Sequence, residues 1–164
     1  MNRTVPPRLL KRIQALILDV DGVLTDGGMY YGPMGEGLKR FNVKDGLGLR
    51  LIGEAGIAVA LVSGEASEIL KRRAEKLKID NVFIGVEDKL KTVSEFLGPR
   101  KIALEDVAYV GDDLNDLPVL QAVGLPVAVA DAVPQVRKAA RWITSRRGGD
   151  GAVREVCDAI LAAR

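Results

Sequence analysis

Strand-length apolar runs alternate with helical patterns along nearly all of this chain, and that alternation restricts the fold more than any other feature. "ALILDV" (Ala15 to Val20), "IAVALVSG" (Ile57 to Gly64), "NVFIG", "VAYVGDD", "LPVAVAD" and a short edge run "RWIT" have the length and continuity of buried strands. Between them lie segments with helical spacing. "DGLGLRLIGEAG" puts Leu47, Leu51 and Ile52 on one side, and "EASEILKRRAEKLKI" turns Ile69, Leu70 and Leu77 inward. "DKLKTVSEFLG", "LNDLPVLQAVG", "VPQVRKAA" and a closing "GAVREVCDAILAA" complete the series. This order predicts an α/β fold with a mostly parallel sheet covered on both faces. A length of 164 residues suits a single domain, 1–164. One piece breaks the alternation: "MYYGPMGEGLKRF", Met29 to Phe41, reads as a β-hairpin around a Gly/Pro-rich turn.

Composition removes several function classes. Lys and Arg total 24 against 22 Asp and Glu, and a balance of +2 makes no electrostatic case for nucleic acid or a membrane surface. The basic runs Lys71 to Arg73 and Ser145 to Arg147 read as solvated faces, with an anionic substrate as the other use for one of them. No apolar run is long enough to span a bilayer, and "MNRTVPPRLLKRIQ" has no apolar core of a signal peptide. Cys157 is the sole cysteine, so no intrachain disulfide is expected and a cytoplasmic setting is the default. There is no His, which excludes a Ser-His-Asp triad, a Cys-His pair and a His-ligated zinc site within one chain. Chemistry must run on carboxylates, Lys, Ser and a hard metal ion.

Those groups sit where a parallel sheet would use them, because such sheets bind ligands beyond the carboxyl ends of their strands. The first strand ends in Asp19-Val20-Asp21-Gly22, the second in Ser63-Gly64, and a later one in Gly111-Asp112-Asp113 with Asp116 following. Lys89 opens a helix between the last two. Crowded carboxylates repel one another unless a cation sits among them, and all-oxygen donors favour Mg²⁺. A Lys and a Ser beside it suit a phosphoryl group, and Gly22 and Gly64 allow close approach of backbone N–H groups. A carboxylate can then attack phosphorus. Each fragment alone has a plainer reading. Asp19-x-Asp21-Gly22 could be a turn, Ser63-Gly64 a strand ending, Lys89 an exposed first-turn residue and Asp112-Asp113 a helix cap. A calcium loop is disfavoured, because its sixth and twelfth positions would be Leu24 and Tyr30 rather than Gly and Glu. It is the joint order that points to chemistry.

The pattern D-x-D-G-V, S-G, K and G-D-D resembles the haloacid dehalogenase superfamily of phosphatases over nearly the whole chain. The resemblance implies that superfamily's Rossmann-like three-layer sandwich. It implies Asp19 as nucleophile and Asp21 as the acid and base that protonates the leaving oxygen and then deprotonates water. By the same resemblance Asp19, the backbone carbonyl of Asp21, and Asp112 would hold Mg²⁺. Asp116, and less directly Asp113, would orient the metal's waters. Ser63, Gly64 and Lys89 would hold the phosphate.

Neither gap between motifs leaves room for a covering domain: Gly22 to Ser63 holds the hairpin and one helix, and Gly64 to Lys89 one helix and one strand. An open site and an unpaired hairpin edge together predict an oligomer whose neighbouring subunit completes the pocket. This lidless form, with "FNVKDGLGLR", "VAYVGDDLNDLPVL", "GLPVAVADA" and "GGDGAVREVCD", is similar to the 3-deoxy-D-manno-octulosonate 8-phosphate phosphatases of lipopolysaccharide biosynthesis. That likeness implies a Mg²⁺-dependent, cytoplasmic homotetramer acting on a sugar acid phosphate. Asn42, Val43, Lys44, Asp45, Gly46 and Arg50 would line the substrate side. Lys44 and Arg50 suit a sugar carboxylate and equally suit two solvated charges near a helix start. The second motif reads Ser63-Gly64-Glu65 where many of these enzymes carry Arg. Glu65 with Lys76 looks more like relatives acting on nine-carbon acids such as 2-keto-3-deoxynononate 9-phosphate, while Glu65 is also a good helix N-terminal carboxylate. Two other readings compete: a non-catalytic tetramerisation module of a cytidylyltransferase system, which would need neither Asp19 nor Asp21, and a phosphotransferase, which would need a lid. The chain stops soon after the closing helix, and "RRGGDG" (Arg146 to Gly151) is expected to be a mobile basic element near a neighbouring site.

Overall fold

The computed structural model describes residues 5–164. Its centre is β1 (Ala15–Leu18), every residue of which is buried. β1 pairs in parallel with β4 (Ala58–Val62) on one side and β6 (Val107–Gly111) on the other, Leu18 lying opposite Leu61 and Val110. β5 (Val82–Phe83) extends the sheet beyond β4, and β7 (Leu125–Ala128) and β8 (Trp142–Ile143) extend it beyond β6. The order is β5-β4-β1-β6-β7-β8, parallel throughout. Parallel strands need crossovers, and the helices that make them bury both faces of the sheet. This is the expected α/β architecture, with "RWIT" at the edge as its brevity predicts.

The crossovers are α2 (Val43–Glu54), α3 (Glu68–Leu77), α4 (Lys89–Leu97), α5 (Leu117–Ala122) and α6 (Pro134–Ala139), and α7 (Ala152–Ala162) closes the chain. Side chains start three of them. Asn42, Ser67 and Asp88 accept the backbone N–H of Lys44, Leu70 and Lys91 respectively. Two expectations change. A short helix α1 (Pro7–Arg12) precedes the sheet, its two-turn length too brief for a periodic signal; Leu10 packs inward and Arg12 pairs with Asp106 at 2.7 Å. Within α2 the buried face carries Leu49 and Ile52 with Gly48, and Leu47 is 44% exposed. Gly48 is why: a Cβ there would lie 3.1 Å from Cys157 Cβ, so the helix turns its smallest residue toward α7.

The hairpin is present, β2 (Tyr30–Gly32) against β3 (Gly35–Leu38), antiparallel and separate from the main sheet. A bridge between Thr25 and Phe41 ties its base to the loop after β1. It leaves Met29, Tyr30, Tyr31, Met34 and Leu38 exposed, Met34 by 99%.

In the segment Arg146 to Gly151, expected to be a mobile basic element, Arg146 and Arg147 are exposed and the glycines pack inward. Gly148 and Gly149 are buried against the loop after β1, with Gly149 N donating to Val23 O at 3.0 Å and Gly148 N to Asp131 Oδ1 at 3.0 Å. A Cβ on Gly148 would lie 1.7 Å from Gly22 O, so backbone must pass backbone at that point. Gly148→Ala is therefore expected to cost about 3 kcal/mol in urea unfolding through forced backbone displacement, with turnover falling as the loop after β1 moves.

Candidate active site

The carboxyl ends of β1, β4 and β6 meet in one cleft of about 430 Å³, lined by Asp19, Asp21, Gly27, Met29, Gly64, Glu65, Asp112, Asp113 and Asn115. Asp19 follows β1 directly and its N–H donates to Val110 O at 2.9 Å, so the sheet itself aims this carboxylate. The chain then tightens into a turn: the N–H groups of Val23, Leu24 and Thr25 all donate to Val20 O. Thr25, fully buried, accepts from Gly22 N and Gly27 N at 3.2 Å each and locks the loop. Gly22 has φ +88°, and a Cβ there would lie 2.1 Å from Asp112 Oδ2. Glycine at this position is what allows the first and last motifs to touch.

A buried ion cluster holds the site together. Lys89 Nζ donates to Asp19 Oδ1 at 2.7 Å and to Asp116 Oδ1 at 2.8 Å, with 2% of its side chain exposed. Asp116 is wholly buried; Oδ1 also accepts from Tyr109 Oη at 2.7 Å, and Oδ2 accepts from the N–H groups of Asp112 and Asp113 at 2.9 and 3.3 Å. A carboxylate offers about four lone-pair sites, and here all are used. Asp116 is thus a strut that positions Lys89 and the strand end, within reach of the carboxylates beside which it was expected to orient a metal's water. Asp113 is exposed and caps the short turn Leu114–Asp116, accepting from Leu114 N at 2.7 Å. Ser63 is buried, held by its N–H to Phe83 O at 2.8 Å. Its Oγ accepts from Glu65 N at 3.1 Å and makes a long 3.5 Å contact to Asp21 Oδ2. Gly64 lines the cleft, and a Cβ there would meet nothing nearer than Val86 O at 3.7 Å.

The same carboxylates fit a divalent cation. Asp19, Asp112 and Asp116 each bring one oxygen within 4.8 Å of the others, and Asp112 Oδ1 is buried with no hydrogen-bond partner among the described residues. Burial pushes Asp19 up to about 6, with the charge of Asp116 adding to it and Lys89 opposing. Burial, and behind it the charges of Asp19 and Asp116, push Asp112 up to about 8. A cation against these two groups would relieve both effects. Asp116 makes four hydrogen bonds, so Asp19 and Asp112 are the less committed ligands of the three.

Other candidates separate in space. Glu65 lines the cleft, but Lys76 lies exposed in the last turn of α3, the end remote from Glu65. Arg50 pairs with Glu54 at 3.5 Å and borders a groove at the opposite edge of the sheet, where β4 begins. Asp45 and Gly46 are buried. Asp45 accepts from Arg154 N at 2.7 Å and Gly151 N at 3.3 Å, and so caps α7. A Cβ on Gly46 would meet Arg73 Nη2 at 2.5 Å. Asn42 caps α2, and Val43 and Lys44 face solvent. Sequence reasoning missed Thr25, Lys39, Tyr109 and Asn115. The position of Thr25, three residues after Gly22 in a tight loop, was the one available signal.

The fold and this site define the class: a haloacid dehalogenase-like hydrolase, the family whose pattern matches residues 85–156. Within it the chain belongs to the 3-deoxy-D-manno-octulosonate 8-phosphate phosphatase family. It is 49% identical over 152 residues to the enzyme of that name from Yersinia pestis, covering 93% of this chain and 81% of that one. A crystal structure of the Yersinia pestis enzyme superposes with a TM-score of 0.93 at 47% identity, covering 96% of this chain and 85% of that one. The Moraxella catarrhalis enzyme, in complex with a magnesium ion, a phosphate ion and a KDO molecule, superposes equally at 0.93 with 39% identity, over 96% and 91% of the two chains. Asp19 and Asp21 are both in place, and the relatives are phosphatases, so the non-catalytic module has no support.

The raised carboxylates set a pH dependence. Asp19 at about 6 and Asp112 at about 8 bind protons more tightly folded than unfolded, where both sit near 3.8. Stability is then full below the unfolded value and declines as pH rises through the folded ones. In chelator, the melting temperature is expected to fall between about pH 5 and about pH 8, and added Mg²⁺ should recover the loss at the upper end. A chelated protein whose melting is flat across that range would contradict the crowded-carboxylate account.

Proposed function

We propose that this protein hydrolyses 3-deoxy-D-manno-octulosonate 8-phosphate to the free sugar acid and inorganic phosphate, as a Mg²⁺-dependent cytoplasmic enzyme of one catalytic domain. The observation that carries the reading is the convergence of Asp19, Asp112 and Lys89 at the end of β1 with Asp21 beside them, in a chain of this family. Lys89 anchors Asp19 Oδ1, which fixes the carboxylate for in-line attack on phosphorus. As the Asp19 oxygen bonds to phosphorus the ester P–O bond breaks, and the leaving oxygen takes its proton from Asp21. Asp21, now ionised, removes a proton from the water that opens the aspartyl-phosphate, and phosphate departs. Ser63, Gly64 N–H and Lys89 supply donors to the phosphoryl oxygens. Asp19, Asp112 and the main-chain carbonyl of Asp21 would hold Mg²⁺, which would supply charge neutralisation at the phosphoryl group.

The reading includes a homotetramer. The exposed hairpin residues Tyr31, Met34 and Leu38, with Val43 and Leu47 one turn apart on α2, form apolar surface that a neighbouring copy would cover. The same packing would bring Lys44 toward a neighbour's open cleft.

Asp19→Asn is expected to abolish turnover with the fold intact by circular dichroism; retained hydrolysis would remove Asp19 as nucleophile. Phosphate release from the eight-carbon ester should exceed that from 2-keto-3-deoxynononate 9-phosphate and from hexose phosphates. Preference for the nine-carbon ester would shift the substrate and make Glu65 the selector. Light scattering should give four times the 17.6 kDa protomer, and Met34→Asp should shift the mass toward smaller species.

A further inference from the structure

The cleft at the carboxyl end of the sheet differs in chemistry between its floor and its mouth. The groups that would meet a phosphoryl group lie deep: Asp19, Ser63 and Lys89 are each no more than 5% exposed. A phosphate ester seated on them has one place for its organic half, outward through the mouth. Five carboxylates, one amide and two glycines line the cleft, and among the described residues Met29 is its one large apolar side chain. Met29 is 46% exposed. The other exposed apolar residues of the hairpin, Tyr31, Met34 and Leu38, do not line the cleft.

The chain on both sides holds Met29 at that place. Before it, Gly27 N donates to Thr25 Oγ1 at 3.2 Å and Gly28 N to Asp26 Oδ1 at 3.0 Å. After it, Tyr30 opens β2 and pairs with Leu38, and the Thr25–Phe41 bridge closes the hairpin base. Asp21 flanks the same mouth, and Lys39, the residue after β3, donates through Nζ to Asp21 Oδ1 at 2.5 Å. Both ends of the hairpin are therefore anchored beside the cleft. Within that fixed frame the unbranched thioether of Met29 can fit its shape to a neighbour.

We infer that Met29 is a specificity-determining residue: it packs against the C–H surface of the leaving group beside the ester oxygen, and so favours an ester with a carbon chain there over phosphate alone. This rests on the hydrolysis of a sugar acid phosphate given in the proposed function. Such a leaving group is polar through its hydroxyls and carboxylate, but the carbons between them present C–H faces for which the cleft's carboxylates have no use. Taking that surface out of water against a thioether is favourable in proportion to its area. The contact is with the leaving group and not with phosphorus, so it strengthens binding of the ester and leaves the phosphoryl site unaltered.

The test compares wild type with Met29→Ala, Met29→Leu and Met29→Gln, in Mg²⁺, on the sugar phosphate that the wild type turns over best, with competitive inhibition by inorganic phosphate measured alongside. Met29→Ala is expected to lower kcat/KM about tenfold, chiefly through a higher KM, because the contact exists in ground state and transition state alike. Its inhibition constant for phosphate should stay within about twofold of wild type, which also reports a folded site. Met29→Leu, apolar and of similar volume, should keep kcat/KM within about threefold. Met29→Gln keeps the length but brings an amide that must be desolvated, and should lose about as much as the alanine variant. Light scattering should give every variant the wild-type mass. Equal weakening of phosphate and ester in Met29→Ala would make Met29 a support for its loop and overturn the inference. Unchanged kcat/KM, a fall in kcat at unchanged KM, a leucine variant as impaired as alanine, or a glutamine variant as active as wild type would also overturn it. So would a smaller assembly, which would assign the side chain to a subunit interface. A wild type that prefers another sugar phosphate to the octulosonate ester would overturn the substrate reading alone, since the comparison uses the preferred ester.

Discussion

The ammonium group of Lys89 between Asp19 and Asp116 is the contact on which the rest of the site depends. Three elements separated in sequence, the ends of β1 and β6 and the start of α4, meet at that nitrogen. Each would be destabilising there alone, because a buried charge without a partner costs several kcal/mol or more. Together they satisfy one another, and Tyr109 and two backbone N–H groups complete Asp116. What stays unbalanced is Asp112, whose Oδ1 has no hydrogen-bond partner among the described residues and whose raised affinity for protons a cation would relieve.

The all-parallel sheet is what makes such a cluster tolerable. Backbone ladders on both sides of β1 hold Asp19 against its neighbours' repulsion, and glycines remove the side chains that would block contact between motifs. Gly22 lets Asp112 approach, and Gly148 lets the last loop lie across the first. Rigidity is therefore concentrated around the nucleophile. The second carboxylate, Asp21, stands outside that frame and takes its support from the hairpin. A protein without a covering domain thus uses a small insertion for two ends: Lys39 faces inward to the site, while Tyr31, Met34 and Leu38 face outward.

Much of this was legible in the residues. Strand-length apolar runs ending in Asp-x-Asp-Gly, Ser-Gly and Gly-Asp-Asp are strong signals, because buried strands rarely end in carboxylates without a use for them. Lys89 was readable from its place between two motifs. The residues expected on the substrate face are spread over the single chain. Asp45 looked like a pocket residue and caps α7, Arg50 lies at the far edge of the sheet, and Lys76 is one helix length from Glu65. Leu47 looked like core by its spacing, yet the helix rotates to bring Gly48 against Cys157. Periodicity tells that a helix has an apolar face, but with glycines at three positions it does not tell which face packs closest.

By itself the sequence determined the strand and helix order, the end of the sheet that carries chemistry, and the carboxylate, serine and lysine set that performs it. These follow from local periodicity and from the rule that parallel strands present their carboxyl ends together. Only the tertiary structure decided that Asp116 is consumed in holding Lys89, that Tyr109 and Thr25 lock the site, and that Lys39 reaches Asp21. Those are pairings across long stretches of chain, set by which side chains the packed sheet and hairpin bring within hydrogen-bonding distance, and no local pattern encodes a distance.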